Sequence, residues 1–241
     1  MSQHSFDEIL RARRSTRDFL STPIPADVLT RVLADAHCAP SWSNTQPYRI
    51  AIASGAAKDT LAQQLTALFE AGSLIQSGGL MGKLKAAVFR KGLPDGDFKV
   101  HFEYPKDLLP RRRATGFGLY RLLGIGRDDY AARHAQMRRN FTFFGAPTVI
   151  FIFVHRDLHE FSVLDAGIYL QTLMLSATAN GLATCAQGAL ATWASPVRAA
   201  FDVPSNYKLI TGVSIGYAST HLVNTYDPGR CDLAEIKIAA R

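Results

Sequence analysis

Residues 148–154 read Thr-Val-Ile-Phe-Ile-Phe-Val, a run of β-branched and aromatic side chains with no charge in it. The wider apolar stretch, Phe143 to Val154, contains Gly145 and Pro147 and is far shorter than the roughly 20 residues a membrane helix needs. The run therefore reads as a buried strand. Working outward, Phe161 to Asn180 is a long, mostly apolar helix ended by Gly181, and Lys208 to Tyr217 is a further strand. Tyr48 to Ala53 is strand-like, and a short strand is expected near 184. Phe6 to Arg13 reads as a helix with Phe6, Ile9 and Leu10 on one face. Pro25 to Ala39 reads as a second, with Val28, Leu29, Val32, Leu33 and Ala36 as its apolar stripe and Pro40 as its stop. Ala57 to Ala71 is amphipathic and is expected to stop at Gly72. Glycines and prolines crowd residues 73–110, which read as loops. Residues 111–144 read as two basic helical pieces, and residues 219–241 begin irregular and end in a short helix. No repeat or linker divides the chain. One α+β domain over 1–241 follows, with strands near 50, 150, 184 and 212 separated by helices.

The chain has 241 residues, 47% hydrophobic and 20% charged, so a mainly disordered state is excluded. Lys plus Arg is 27 and Asp plus Glu 20, a net +7. This excess suits anionic ligands but does not by itself separate DNA from a phosphorylated cofactor. Residues 111–139 are the most basic stretch, yet no nucleic-acid-binding module is recognisable, so no nucleic-acid partner is expected. Cys38, Cys185 and Cys231 stand far apart, which suggests neither a zinc cage nor a disulfide framework. The start, MSQHSFDEIL, carries acids where a signal peptide would be apolar. A reducing, cytoplasmic location without membrane attachment is expected.

Several motifs fail on inspection. Gly116-Phe117-Gly118 opens like a dinucleotide fingerprint, but Arg121 stands at the third glycine position and no strand precedes it. Residues 77–84, SGGLMGKL, lack the first glycine and the hydroxyl of a phosphate loop. Gly212-Val-Ser214-Ile-Gly216 matches a nucleophile elbow, but only His221 follows it and no helix does. Glycines in a strand where something packs closely explain it better. His155 and His159 have helical ligand spacing, yet they follow a strand and read as a solvated loop.

Four stretches carry chemistry. In Arg13-Arg14-Ser15-Thr16-Arg17, an extended chain turns Arg13, Ser15 and Arg17 to one side, and a helix puts Arg13 and Arg17 on one face. Either way guanidiniums and a hydroxyl converge, a set suited to phosphate; a solvated basic helix end is the plainer alternative. Residues 39–48, APSWSNTQPY, hold polar donors and acceptors between two prolines. They can read a heterocycle's edge, or simply form a turn. Residues 181–189, GLATCAQGA, follow the long helix with small side chains that let a flat ring approach the backbone. A helix cap followed by a buried strand is the alternative. Asp227-Pro228-Gly229-Arg230 is a turn presenting one arginine.

Together, in this order, these four stretches resemble the FMN-dependent nitroreductase family. Its pattern is Arg-Arg-Ser-x-Arg, then Pro-Ser-x-x-Asn-x-Gln-Pro, then Gly-Leu-x-Thr after a long helix, then a basic residue near the C-terminus. Residues 73–144 are a variable segment, similar only to a subgroup of bacterial enzymes acting on nitroaromatics. The resemblance implies a three-layer fold, a central mixed or antiparallel sheet flanked by helices, in an intertwined homodimer with FMN at the interface. It implies NADH or NADPH as donor, ping-pong hydride transfer through the flavin N5, and a nitroaromatic or quinone-like acceptor, with no catalytic side chain required. Relatives with another acceptor, or a flavin binder without turnover, are the alternatives. By the same resemblance Arg13, Arg14, Ser15 and Arg17 bind the phosphate, ribityl chain and pyrimidine edge. Pro40, Ser41 and Trp42 approach the partner subunit's flavin, with Asn44 and Gln46 close by. Ala186, Gln187 and Gly188 lie along the ring, and Arg230 meets the phosphate. Many relatives carry a second basic residue where this chain has Pro228.

Overall fold

The computed structural model describes residues 5–77, 92–99 and 103–240. Among them, four strands make one antiparallel sheet: β1 (Tyr48–Ser54), β2 (Thr148–His155), β3 (Ala183–Gln187) and β4 (Tyr207–Gly216), in the spatial order β1-β2-β4-β3. Helices fill the intervals: α1 (Phe6–Ala12), α2 (Ala26–His37), α3 (Gly55–Ser77), α4 (Leu109–Leu122), α5 (Tyr130–Arg138), α6 (His159–Ala179) and α7 (Ser195–Ala200).

β2 explains why its sequence is continuous rather than alternating. Side chains alternate across a strand. Val149, Phe151 and Phe153 enter one core with Leu61 and Leu65 of α3 and Val197 of α7. Ile150, Ile152 and Val154 enter the other with Val32 and Ala36 of α2 and Leu173 and Ala177 of α6. Both faces of this strand are dry, and the result is helix, sheet, helix.

Three expectations are corrected. α3 does not stop at Gly72 but runs on to Ser77. A side chain at Gly72 would meet the Gly92 carbonyl at 3.0 Å and Trp193 at 3.4 Å, so this glycine admits a crossing segment rather than capping a helix. The expected C-terminal helix is a single 3-10 turn, Leu233–Glu235. Leu233, Ile236 and Ile238 are exposed, so no apolar face among the described residues supports a longer helix. The loop reading for 73–110 fails for 73–77, which belong to α3, and for Leu109 and Pro110, which open α4; the SGGLMGKL stretch falls outside the described residues beyond Ser77.

The rejected motifs also find physical reasons. A side chain at Gly212 would reach Leu190 Cδ1 at 2.4 Å, and one at Gly216 would reach Pro147 Cδ at 2.5 Å, while Ser214 between them is buried. Gly118 lies against the Tyr226 ring. His155 ends β2 and His159 opens α6, so the solvated-loop reading holds for neither. None of the described helices is long and apolar enough to cross a membrane.

Candidate functional site

Helix α1 begins with a reciprocal cap between Ser5 and Glu8 and ends when Arg13 leaves helical geometry at φ −60° and ψ 117°. The chain is extended from there. Ser15 forms a parallel bridge with Thr184 of β3, and the Thr16 N–H donates to the Thr184 carbonyl at 3.0 Å. Farther on, the Arg17 N–H donates to Asn224 Oδ1 at 2.8 Å, and Asn224 Nδ2 returns a bond to the Asp18 carbonyl at 2.8 Å. Of the two geometries open in the sequence, the extended one is therefore adopted. Thr16 is buried, and its neighbours face outward.

Outward they meet the C-terminal turn. Arg13, Arg14, Ser15, Arg17, Tyr226 and Arg230 line one cleft of about 610 Å³. Gly229, at φ +68°, makes the turn, and its N–H donates to Asp227 Oδ1 at 2.8 Å. Among the described residues, none of Arg13, Arg14, Arg17 and Arg230 has a carboxylate within 4 Å; Arg11 at the edge is paired with Asp7 at 2.9 Å. Asp227 also lines the cleft, its Oδ1 engaged by the Gly229 N–H, so the guanidiniums outnumber the one carboxylate and form a site for a polyanion.

β3 carries the second element of this site. Ala186 lies two residues from the Ser15 bridge, about 7 Å along the strand. Ala186 and Gly188 are exposed, and nothing lies within 4 Å of a side chain built at Gly188, so a flat group can lie against this backbone. Gln187 differs from its neighbours. Its side chain is buried, donating to the Asn140 carbonyl at 3.0 Å and accepting from the Ser214 hydroxyl. Any contact from Gln187 to a ligand is left to its backbone. Beneath the arginines, burial pushes the Cys185 thiol up to about 11, against the opposing pull of Arg17 and Arg13, so it stays protonated near neutral pH.

The 40–46 loop sits elsewhere. Its residues Ser43, Asn44 and Gln46 adopt left-handed φ of 49°, 55° and 41°, strained for side chains other than glycine. The Ser41 hydroxyl accepts the Gln46 N–H at 2.9 Å, and the Gln46 amide donates to the Asn44 carbonyl. The whole turn is seated on α6. The Trp42 N–H points at both oxygens of buried Asp165, 3.1 Å from each, and the Trp42 ring packs on Phe161 at 4.3 Å with a 47° tilt. Pro40, Trp42 and Asn44 are exposed, and Ser41 and Gln46 half-buried. The arginine cleft is not lined by any residue of this loop.

The chain thus gathers its expected site residues into two groups. One joins Arg13, Arg14, Ser15, Arg17 and Arg230 to Ala186, Gln187 and Gly188. The other is Pro40, Ser41, Trp42, Asn44 and Gln46 on α6. Sequence reasoning missed Asn224, Asp165 and Asn140. Nothing local in LVNT or SVLD marks these residues, since each acts through a distant segment.

The Nitroreductase family profile matches residues 10–217. Nitroreductase NfnB of Mycolicibacterium smegmatis is 36% identical over 232 residues, 95% of this chain and 90% of that protein. A 4-nitrobenzoate reductase of Pseudomonas putida is 33% identical over 213 residues, 88% of this chain and 85% of that one. The crystal structure of the FMN-dependent nitroreductase NfnB from Mycobacterium smegmatis, in complex with NADPH, superposes with a TM-score of 0.82 at 33% identity, covering 98% of this chain and 97% of that chain. On the span of the match and the extent of these likenesses, the chain belongs to the nitroreductase family.

Proposed function

We propose that this protein is an FMN-dependent oxidoreductase that uses NADH or NADPH to reduce nitroaromatic acceptors. The observation that carries the reading is the arginine cleft, with four guanidiniums that have no carboxylate within 4 Å among the described residues, bridged by Ser15 and Thr184 to the open backbone of Ala186 and Gly188. These residues fit FMN: a phosphate for the guanidiniums and a flat ring for the exposed edge of β3. The relatives named above, an FMN-dependent enzyme crystallised with NADPH and a reductase of 4-nitrobenzoate, support the same cofactor, donor and substrate class.

Arg13, Arg14, Arg17 and Arg230 would hold the phosphate and ribityl end, with Ser15 adding a hydroxyl. Their positive field also favours a ligand that gains negative charge on reduction. Ala186 and Gly188 would leave one ring face against backbone N–H groups, and Gln187 would fix that backbone through Asn140 and Ser214. FMN, when bound, supplies a two-electron carrier between the nicotinamide donor and the acceptor. No side chain of this chain is required as nucleophile.

The second group completes the site from a partner subunit of a homodimer. Trp42 and Phe161 are exposed, as is Leu164 one turn along α6, and together they offer an apolar surface for a second copy. Pro40, Ser41 and Trp42 of one subunit would then approach the ring held by the other, with Asn44 and Gln46 close by.

The purified protein should be yellow, release FMN on denaturation, and, without oxygen, oxidise more than one equivalent of NADH or NADPH only when a nitroaromatic is present. A colourless protein that takes up no FMN on reconstitution would overturn the reading. A yellow protein without turnover would leave a flavin binder instead.

A further inference from the structure

A second cavity, of about 540 Å³, lies between α3, α4 and α5, within the size range of small-molecule sites. Rings make its walls: Phe69 of α3, Phe117 and Tyr120 of α4, and Tyr130 of α5. Its charges are Arg112 and Arg113 of α4 and Arg133 of α5, and no Asp or Glu lines it. Among the described residues, none of these three arginines has a carboxylate within 4 Å, and the stretches outside the described residues contain no Asp or Glu.

Three other arginines of the same basic run are neutralised, Arg111 by Glu235 at 2.6 Å, Arg138 by Glu70 at 3.1 Å and Arg139 by Asp18, while Arg121 and Arg127 line an adjoining pocket that shares Arg133. The run is therefore not a uniform solvated face. Arg133 is also held in place. Its guanidinium lies 5.3 Å over Tyr120 and 5.9 Å from the Tyr130 centroid, and it donates to the Arg127 carbonyl at 3.0 Å. His134, beside it, stacks on Phe69 at 4.8 Å and approaches Glu70 at 3.3 Å, and Arg112 lies 5.1 Å over the Tyr104 ring, so the arginines are the cavity's charged donors.

We propose that this cavity binds a planar aromatic ring carrying an anionic group, phosphate or carboxylate. The ring would lie against the aromatic walls, and the anion would take the planar donors of Arg112, Arg113 and Arg133. Two molecules in the proposed reaction have this chemistry: the phosphorylated adenosine end of a dinucleotide donor and an acidic nitroaromatic. The cavity stands apart from the flavin reading; only the naming of its source rests on it.

The test is calorimetric titration of the FMN-loaded protein with two matched pairs, adenosine 2′-phosphate against adenosine and 4-nitrobenzoate against nitrobenzene. In at least one pair the anion should bind tenfold or more tightly than its neutral counterpart. Arg112→Gln/Arg133→Gln should reduce that preference below twofold, with FMN content and neutral-ligand affinity unchanged. Arg113→Gln alone serves where the double variant fails to fold, and it should lower the preference at least threefold. A preference in the adenosine pair places the donor here, and one in the nitrobenzene pair places the acceptor. No preference in either pair, or one that survives the substitutions, overturns the proposal. Anion binding by a protein that takes up no FMN, abolished by the same substitutions, would sink the flavin reading and leave the cavity standing.

Discussion

Thr16 donates its backbone N–H to the carbonyl of Thr184 at 3.0 Å, and that bond ties the arginine segment to the edge of β3. Phosphate-type donors and a small-residue backbone thereby share one edge, although they lie far apart in the sequence. Substitutions along this edge should separate binding from folding.

Arg17→Ala should weaken FMN binding at least tenfold, since a hydrogen bond to a charged group contributes about 1.5–3 kcal/mol. The loss should grow as salt is lowered. Fluorescence titration of the apoprotein measures it, and an unchanged dissociation constant removes Arg17 from the site.

Gly188→Val and Gly216→Ala should behave oppositely. The first adds its side chain to open space, so thermal stability should hold while FMN uptake drops at least tenfold. The second drives a methyl against the rigid Pro147 ring, at 2.5 Å, and should cost about 1–3 kcal/mol of stability. Melting curves with and without FMN separate the two effects.

Asp165→Ala removes the acceptor for the Trp42 N–H and should loosen the 40–46 turn. Limited proteolysis should then cut near Trp42 faster than in the parent. Asp165→Asn keeps an acceptor oxygen and should restore most of the protection.

Burial opposes charge on Asp18, but bonds from the Ser219 hydroxyl and the Arg139 guanidinium outweigh it and hold the carboxyl below its ordinary 3.8. A depressed carboxyl contributes stability that is complete above the unfolded value and is lost as pH falls through the folded one. Acid unfolding should therefore begin near pH 4 and steepen below it. In Asp18→Asn that component of the pH dependence should be missing, with lower stability at pH 7.

Cys185 should resist alkylation at pH 8, since burial keeps its thiol protonated up to about 11. Cys38 is exposed and should react first. Counting fast-labelled thiols by mass spectrometry checks both statements.

Much of this architecture is legible in the sequence where the signal is local. The run at 148–154 carries its own burial on both faces, and the arginine segment carries its own chemistry. Legibility ends where a residue serves something distant. Gly72 looks like a helix stop because its use, admitting Gly92 and Trp193, lies outside its neighbourhood. The last residues read as a short helix, but Leu233, Ile236 and Ile238 are exposed and pack on no apolar face among the described residues. Asn224 and Asp165 carry no local mark, yet one ties the arginine segment to the C-terminal stretch and the other seats the 40–46 turn. Gln187, expected beside the ring, spends its amide on Asn140 and Ser214 because alternation along β3 turns it inward.

The seat of Trp42 on Phe161, away from the arginine cleft, has a genetic corollary under the proposed assembly. Two inactive alleles, one lacking Arg17 and the other lacking Trp42, should complement each other when co-expressed. In a mixed pair one pocket inherits both lesions and the other inherits neither, so a heterozygous cell would regain activity that neither allele supplies alone.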